Sequence, residues 1–303
     1  MYDLIVVGGG PAGLTATIYA IRKRLNVLLV SKDLGGKTNY HLELPDQDVY
    51  QVIKGVSVVN KFKSELEYLK FARHMEPVTK VKKEDDHFVV HTKGGGALMA
   101  KAVIIATGAM QQWLNVPGER EYLSRGLCYS ALSYAPLFID KDTVVVGNGE
   151  LALRSAAELS TVAKQVHVVG PSGDILKTPL GQKLIDAENV NVLAGYEITQ
   201  VLGNGYCDRV QVKSPEGEES EIKADGTFVE KALIANVDCV ADLVELDEKG
   251  FIKVDAYSRT NVPGVFAAGD VTNIYAEQVL VAVGEGVKAA LSAYDYLLPV
   301  LTL

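Results

Sequence analysis

The chain has 303 residues, 48% of them hydrophobic, and a formal net charge of −8. That length predicts two domains of roughly 100–200 residues with large cores, and the negative balance argues against nucleic acid as a general partner. Cys128, Cys207 and Cys239 lie far apart with no Cys-x-x-Cys among them, which predicts no disulfide framework, no metal site and a reducing, cytoplasmic setting.

The chain opens on an apolar strand, Leu4 to Val7, without a basic leader, so no signal peptide is expected. No apolar run approaches the ~20 residues of a membrane span. Gly8-Gly9-Gly10-Pro11-Ala12-Gly13 follows, and Leu14 to Ile21 reads as a helix. In this strand–turn–helix setting Gly8 makes the tight turn, Gly10 admits backbone to a pyrophosphate, and Gly13 lets helix and strand pack closely. The helix start then offers free N–H groups and a positive dipole end to phosphate. Asn26 to Val30 is a second strand. An acidic ribose reader belongs at its end. Ser31-Lys32-Asp33 stands there instead, either as a weaker ribose contact or as an ordinary turn. In Leu34-Gly35-Gly36-Lys37-Thr38 two adjacent glycines let backbone lie against a flat ring.

Lys61 to Met75 has the stripe of an amphipathic helix capped by Asn60. Val78–Lys82, His87–Thr92 and Ala97–Lys101 predict a small antiparallel insertion, and Ala102 to Ala106 a separate strand running into Thr107-Gly108. The linker from Ala109 to Gly118 marks a boundary. Beyond it, Gly147, Gly149 and Ala152 stand 139 residues after Gly8, Gly10 and Gly13, again between a strand and a helix. This repeat predicts a second dinucleotide-type domain inserted in the chain. Its ribose-reading position offers Gly170-Pro171-Ser172-Gly173, with neither carboxylate nor arginine. Five further strands are expected between Val190 and Ile234, a strand ending in Gly269-Asp270, and a helix over Glu277 to Leu297. The fold class is α/β, with two Rossmann-like dinucleotide-binding domains. The first spans 1–112 and 246–303 and the second, inserted, spans 113–245.

These pieces in this order resemble the low-molecular-weight thioredoxin reductases, two-domain flavoproteins of the pyridine nucleotide-disulfide oxidoreductase class. The resemblance rests on GGGPAG, Gly35-Gly36, Ala106-Thr107-Gly108, Val116-Pro117-Gly118-Glu119, the Gly147 turn, Leu246 to Gly250, Val262 to Asp270 and Gly284-Glu285-Gly286. It implies FAD in the first domain, a nicotinamide-type second domain and a homodimer. It further implies that Asp270, with Gly269, holds the ribityl chain. The helix start at Gln278-Val279 would face the isoalloxazine O2, where negative charge grows on reduction. Gly8, Gly10, Pro11, Ala12, Gly13, Ser31, Lys32, Gly36, Lys37, Thr38, Ala106, Thr107 and Gly108 complete the expected cofactor contacts.

The family's redox-active Cys-x-x-Cys aligns with Ser130 and Ser133, and its acidic proton donor with Tyr134. A serine cannot form a disulfide. Cys128 is therefore the one candidate thiol centre, against its bland reading as a small buried apolar residue. The basic pair for a nucleotide 2′-phosphate is absent, and Asn236 replaces a usual glycine. Gly147, Gly149 and Ala152 remain candidates for NAD(P)H or a second flavin. Eight basic residues against three acidic ones between Lys54 and Lys83 could steer an acidic carrier such as ferredoxin or flavodoxin, or be a solvated face. The expected function is an FAD oxidoreductase of thioredoxin-reductase fold without a redox disulfide and with a donor other than NADPH. A ferredoxin–NAD(P) reductase-like enzyme and a non-catalytic flavin sensor or scaffold are the competing readings.

Overall fold

The computed structural model describes residues 1–39, 42, 54–129 and 134–301. In chain order its elements are β1 (Tyr2–Val7), α1 (Pro11–Arg22), β2 (Val27–Val30), α2 (Lys54–Tyr68), β3 (Arg73–His74), β4 (Val78–Glu84), β5 (His87–Thr92), β6 (Ala97–Ile105) and β7 (Ala109–Gln111). There follow β8 (Leu127–Cys128), β9 (Asp142–Val146), α3 (Glu150–Ser160), β10 (Gln165–Val169), α4 (Gly173–Leu176), α5 (Pro179–Ile185) and β11 (Val190–Leu193). The chain ends through β12 (Glu197–Gly203), β13 (Cys207–Lys213), β14 (Glu219–Lys223), β15 (Gly226–Val229), β16 (Leu233–Ala235), β17 (Val265–Ala267) and α6 (Val279–Leu297).

The chain divides into two compact units. Among the described residues, one comprises Met1–Asn39, Lys54–Met110 and 234–301, and the other comprises Gln111–Leu233 with Leu42. The chain rejoins the first unit at Ile234 rather than at 246. Ala235, Cys239, Val240 and Val244 are the reason, because all four are buried in that unit's core.

The first unit is built on a seven-stranded sheet ordered β3-β2-β1-β6-β5-β4, with β17 also pairing with β6. β1 is apolar on both faces because both are covered. Leu4 and Val6 join one buried cluster with α1, α2 and α6, and Ile5 and Val7 join another on the opposite face. The expected insertion at 78–101 is part of this sheet. Ala97–Lys101 and Ala102–Ile105 form one strand, β6, whose first half pairs antiparallel with β5 and whose last residues pair parallel with β17. Asn60 lies inside α2 and does not cap it. That helix starts at Lys54 and stops at Tyr68, and Arg73 belongs to β3, paired with Leu29 of β2.

The second unit has a five-stranded parallel sheet, β11-β10-β9-β15-β8, and a three-stranded antiparallel sheet, β12-β13-β14. The expected strand Phe228–Ile234 is two strands, β15 and β16. Helices α4 and α5 were not expected, although Thr178 caps α5 by accepting from the Gly181 N–H, with Pro179 at its first position.

Candidate functional site

Four parallel strands of the first unit, β2, β1, β6 and β17, end together. Open parallel sheets bind ligands beyond such carboxyl ends. The residues that follow are Ser31, Gly8, Ala106 and Ala268-Gly269-Asp270, so four expected contact segments converge. Main-chain bonds lock the ends: Gly8 N–H donates to Val30 O (2.9 Å), Ala106 N–H to Val7 O (2.8 Å) and Ala268 N–H to Ile105 O (2.9 Å).

Gly8 adopts φ +111°, and a Cβ there would collide with the Ala106 carbonyl. A Cβ on Gly13 would strike the Gly8 carbonyl oxygen, whereas one on Gly10 would meet nothing within 4 Å. The turn is thus closed behind and open in front. Helix α1 begins with Pro11, has no acidic residue in its first turn and no side-chain cap. Its first N–H groups therefore point without a side-chain partner at the open side of Gly10. The second glycine loop folds against this turn. Gly35 N–H donates to Gly9 O (2.7 Å), and a Cβ on Gly36 would lie 3.1 Å from Gly10 Cα. Helix α6 also starts without an acid in its first turn or a side-chain cap, at Gln278. An uncapped helix start free of acid at α1 and an open glycine suit an elongated, phosphate-bearing cofactor such as FAD.

Ser31 and Asp33 serve the loop. Ser31 Oγ donates to Asp33 O (2.7 Å), and Asp33 Oδ1 accepts from the Gly36 N–H (3.0 Å). Lys32 is exposed, and Thr38 is buried with its hydroxyl donating to Gly35 O (2.7 Å). Thr107 and Asn236 clasp each other: Thr107 Oγ1 donates to Asn236 O (2.7 Å) and Asn236 Nδ2 to Thr107 O (2.9 Å). Asn236 N–H also donates to Gly108 O (2.9 Å). The residue that departs from the family glycine thus holds Thr107 and Gly108 in place.

Sequence reasoning overlooked Glu277. Lys37 Nζ lies 2.6 Å from Asp270 Oδ2 and 3.2 Å from Glu277 Oε2. Burial works against the Lys37 charge, but Asp270 and Glu277 outweigh it and its pKa is raised. Glu277 is also raised, first by burial and further by the like charge of Asp270, which together exceed the pull of Lys37. The signal available was an acid immediately before the helix start at Gln278.

The second turn repeats the close backbone approach of the first, without the positive φ of Gly8. A Cβ on Gly147 would collide with Glu230 O, and one on Gly149 would meet nothing within 4 Å. Ala152 is buried beneath it. Here, however, the first helical residue is Glu150, whose Oε1 accepts from Arg154 Nη2 (2.7 Å). A Cβ on Gly170 would face the backbone of Tyr196 and Gly147.

Ser130 and Ser133 lie outside the described residues. Cys128 is a buried residue of β8, paired with Phe228 in the parallel sheet and packed beside Phe138 and Leu42. Tyr134 is pushed up by burial and then by Cys128. Cys207 and Cys239 are buried too; burial raises the Cys207 thiol and takes Cys239 to about 11. At pH 8 the native protein should therefore release less than one equivalent of thionitrobenzoate from Ellman's reagent, and three after denaturation. Fast native labelling at Cys128 would mark it as a reactive centre.

Around α2 and β3, Lys61, Lys70, Lys80, Lys82 and Lys83 are exposed. Tyr68 and Phe71 stand 86% and 77% exposed beside Lys70. Arg73 donates to Glu67 O and Lys80 pairs with Asp242. Among the described residues no helix is long and apolar enough to cross a membrane, and no group of three His, Cys, Asp or Glu could hold a metal ion.

The pyridine nucleotide-disulphide oxidoreductase family matches residues 2–286. The F subunit of alkyl hydroperoxide reductase from Pseudomonas putida is 36% identical over 98% of this chain, and its counterpart in Staphylococcus aureus is 32% identical over 98%. The chain spans 58% and 59% of those relatives. Among solved structures, a thioredoxin reductase of Streptococcus pyogenes superposes with a TM-score of 0.87 at 31% identity, covering 99% of both chains. One from Giardia duodenalis gives 0.86 at 27% identity, over 98% of this chain and 99% of that one.

Proposed function

The chain belongs to the pyridine nucleotide-disulphide oxidoreductase family, and from that premise we propose that it is an FAD-dependent oxidoreductase working without a redox disulfide and drawing electrons from a donor other than NADPH. The contrast between its two glycine turns carries this reading. The first presents to an open cradle the start of α1, which has no side-chain cap and no acid in its first turn. The second keeps the cradle but places the Glu150 carboxylate at the helix start, where a nucleotide pyrophosphate would sit. Like charge there disfavours phosphate, and Gly170 supplies no ribose reader.

In this reading Gly8 to Gly13 hold the ADP half of FAD and Asp270 the ribityl chain. Ser31, Lys32, Gly36, Lys37, Thr38 and Ala106 to Gly108 line its path, and the start of α6 at Gln278-Val279 faces the flavin O2. Bound FAD supplies electron transfer through its own ring system and needs no cysteine for it. The protein's part is to place that ring, to offer the dipole of α6 to growing negative charge, and to keep the backbone at Gly8 and Gly10 within reach of phosphate. Cys128, Cys207 and Cys239 form no Cys-x-x-Cys, which supports turnover without a protein disulfide. The exposed lysines around Tyr68 and Phe71 fit an acidic protein carrier of the ferredoxin or flavodoxin kind, for which long-range attraction speeds encounter. A homodimer is part of the same reading.

The test is an anaerobic reduction series on the purified flavoprotein with NADPH, NADH and reduced ferredoxin. Reduced ferredoxin is expected to bleach the flavin within the time that both nicotinamides leave it oxidised. Fast bleaching by NADPH would overturn the alternative donor. It would favour the ferredoxin–NAD(P) reductase-like reading, which the retained cradle at Gly147 and Gly149 supports. A flavin that none of the three reduces would leave a sensor or scaffold.

A further inference from the structure

We infer that Lys37 and Glu277 are an opposed pair of positioning residues that sets the redox potential of the bound flavin, an inference that rests on the FAD reading above. The observation is a single ammonium clamped between two carboxylates at the mouth of the cradle. Lys37 Nζ bridges Asp270 Oδ2 at 2.6 Å and Glu277 Oε2 at 3.2 Å. The side chains of Asp270, Glu277 and Lys37 are 14%, 27% and 38% exposed, so water screens the two carboxylates less than the ammonium they share. Its place is fixed from three directions. Gly36, the preceding residue, folds against Gly10. Gly269, before Asp270, lies against Ala12 and Ala282. Glu277 directly precedes Gln278, the cap residue of α6. The cluster is therefore joined to the glycine turn, to the ribityl-binding segment and to the start of α6.

Its charges do not cancel. Two carboxylates share one ammonium, so the cluster carries a net charge of −1 beside the positive start of α6. Uptake of two electrons and one proton leaves one negative charge on a flavin. That charge is stabilised by Lys37 and the helix dipole, and opposed by Glu277. Asp270 is committed to the ribityl chain in the same reading, which leaves Glu277 as the adjustable counterweight. The family resemblance accounts for Asp270 but assigns neither Lys37 nor Glu277 this role. A lysine that merely tied two loops together would affect stability and FAD retention without ordering potentials by the sign of the charge removed.

The experiment is a reductive titration of the flavoprotein against a reference dye, using xanthine and xanthine oxidase as the electron source, on wild type, Lys37→Met, Lys37→Arg and Glu277→Gln. Lys37→Met should lower the midpoint potential, by about tenfold in the oxidised-to-reduced ratio or about 30 mV for a two-electron couple. Glu277→Gln should raise it by a similar factor, and Lys37→Arg should restore the wild-type value. Should Lys37→Met fold poorly, Glu277→Gln and Lys37→Arg still decide the matter. Potentials that do not move, or that move in the same direction in the Met and Gln variants, would overturn the inference while leaving FAD binding intact. A wild-type protein that takes up no FAD would instead overturn the functional reading, and this one with it.

Discussion

Replacing Gly13 by alanine should empty the protein of flavin. The new methyl group is directed at the Gly8 carbonyl oxygen, and Ala106 Cβ closes the space behind at 3.4 Å. The first turn of α1 can yield only by moving away from β1, which withdraws its N–H groups from the phosphates they are placed to meet. Overpacking of this kind costs about 1–3 kcal/mol, set against a gain of at most about 1 kcal/mol from replacing a helical glycine. The same helix is pinned from its other side, because a Cβ on Gly286 of α6 would collide with the Ala12 carbonyl. No direction of relief remains. The ratio of flavin to protein absorbance after purification checks this, and a holoprotein with full occupancy would refute it. Gly10→Ala is the control: its Cβ meets no protein atom within 4 Å. Loss of flavin there without loss of stability would locate the cofactor at the open side of the turn.

Glu119→Ala should be the most destabilising single change in the second unit. This carboxylate is 2% exposed. It accepts from the N–H groups of Leu114 (2.6 Å) and Asn115 (2.7 Å) and from the Tyr129 hydroxyl (2.8 Å). Burial, reinforced by the Glu119 carboxylate, raises the Tyr129 hydroxyl so that it stays a donor. Alanine leaves all three donors unpaired, a loss of about 3–5 kcal/mol by the usual cost of orphaning buried groups bonded to a charge. Glu119→Gln keeps one acceptor oxygen but aims an amide at a donor, so roughly half that loss is expected. Trp113, the one tryptophan of the chain, reports the event locally: its ring meets Tyr129 edge to face at 5.6 Å and lies under Arg120. A urea titration followed by its fluorescence should show the midpoint fall in Glu119→Ala. An unchanged midpoint would mean that the 113–129 segment is held by something else.

Much of the first unit is readable in its sequence because steric necessity leaves marks. A glycine whose Cβ would collide with backbone cannot be exchanged, so Gly8 and Gly13 spell out a turn before any coordinate is known. The repeat at Gly147 does the same for the second unit. Charge pairing leaves no such mark. Lys37 and Glu277 lie 240 residues apart, and neither belongs to a local pattern, so only the fold brings them together. Asn236 reads as a lost glycine until its clasp on Thr107 is seen. Strand ends misled for a related reason. Lys101 interrupts two apolar stretches, Ala97–Ala100 and Ala102–Ala106, which looks like a boundary between two strands. It is one strand, β6, whose neighbours change partway along. At α2, Asn60 has the chemistry of a cap but faces a helix already begun at Lys54.

The double partnership of β6 also dictates an order of events during synthesis. Its last residues pair with Val265–Ala267, roughly 160 residues further on. At 5–20 residues per second that delay is on the order of 10–30 s. Before it ends the second unit, drawn from the nearly contiguous stretch Gln111–Leu233, can already have closed its own sheet. The strands β1, β2 and β6 meanwhile wait with an unpaired apolar edge, since β17 and the cover of α6 do not yet exist. The cradle of the first glycine turn is therefore completed only after the second unit has been made, although its own glycines precede that unit in the chain. An edge left open for that long is the point at which nascent chains would pair with one another, and it is where a chaperone would be needed.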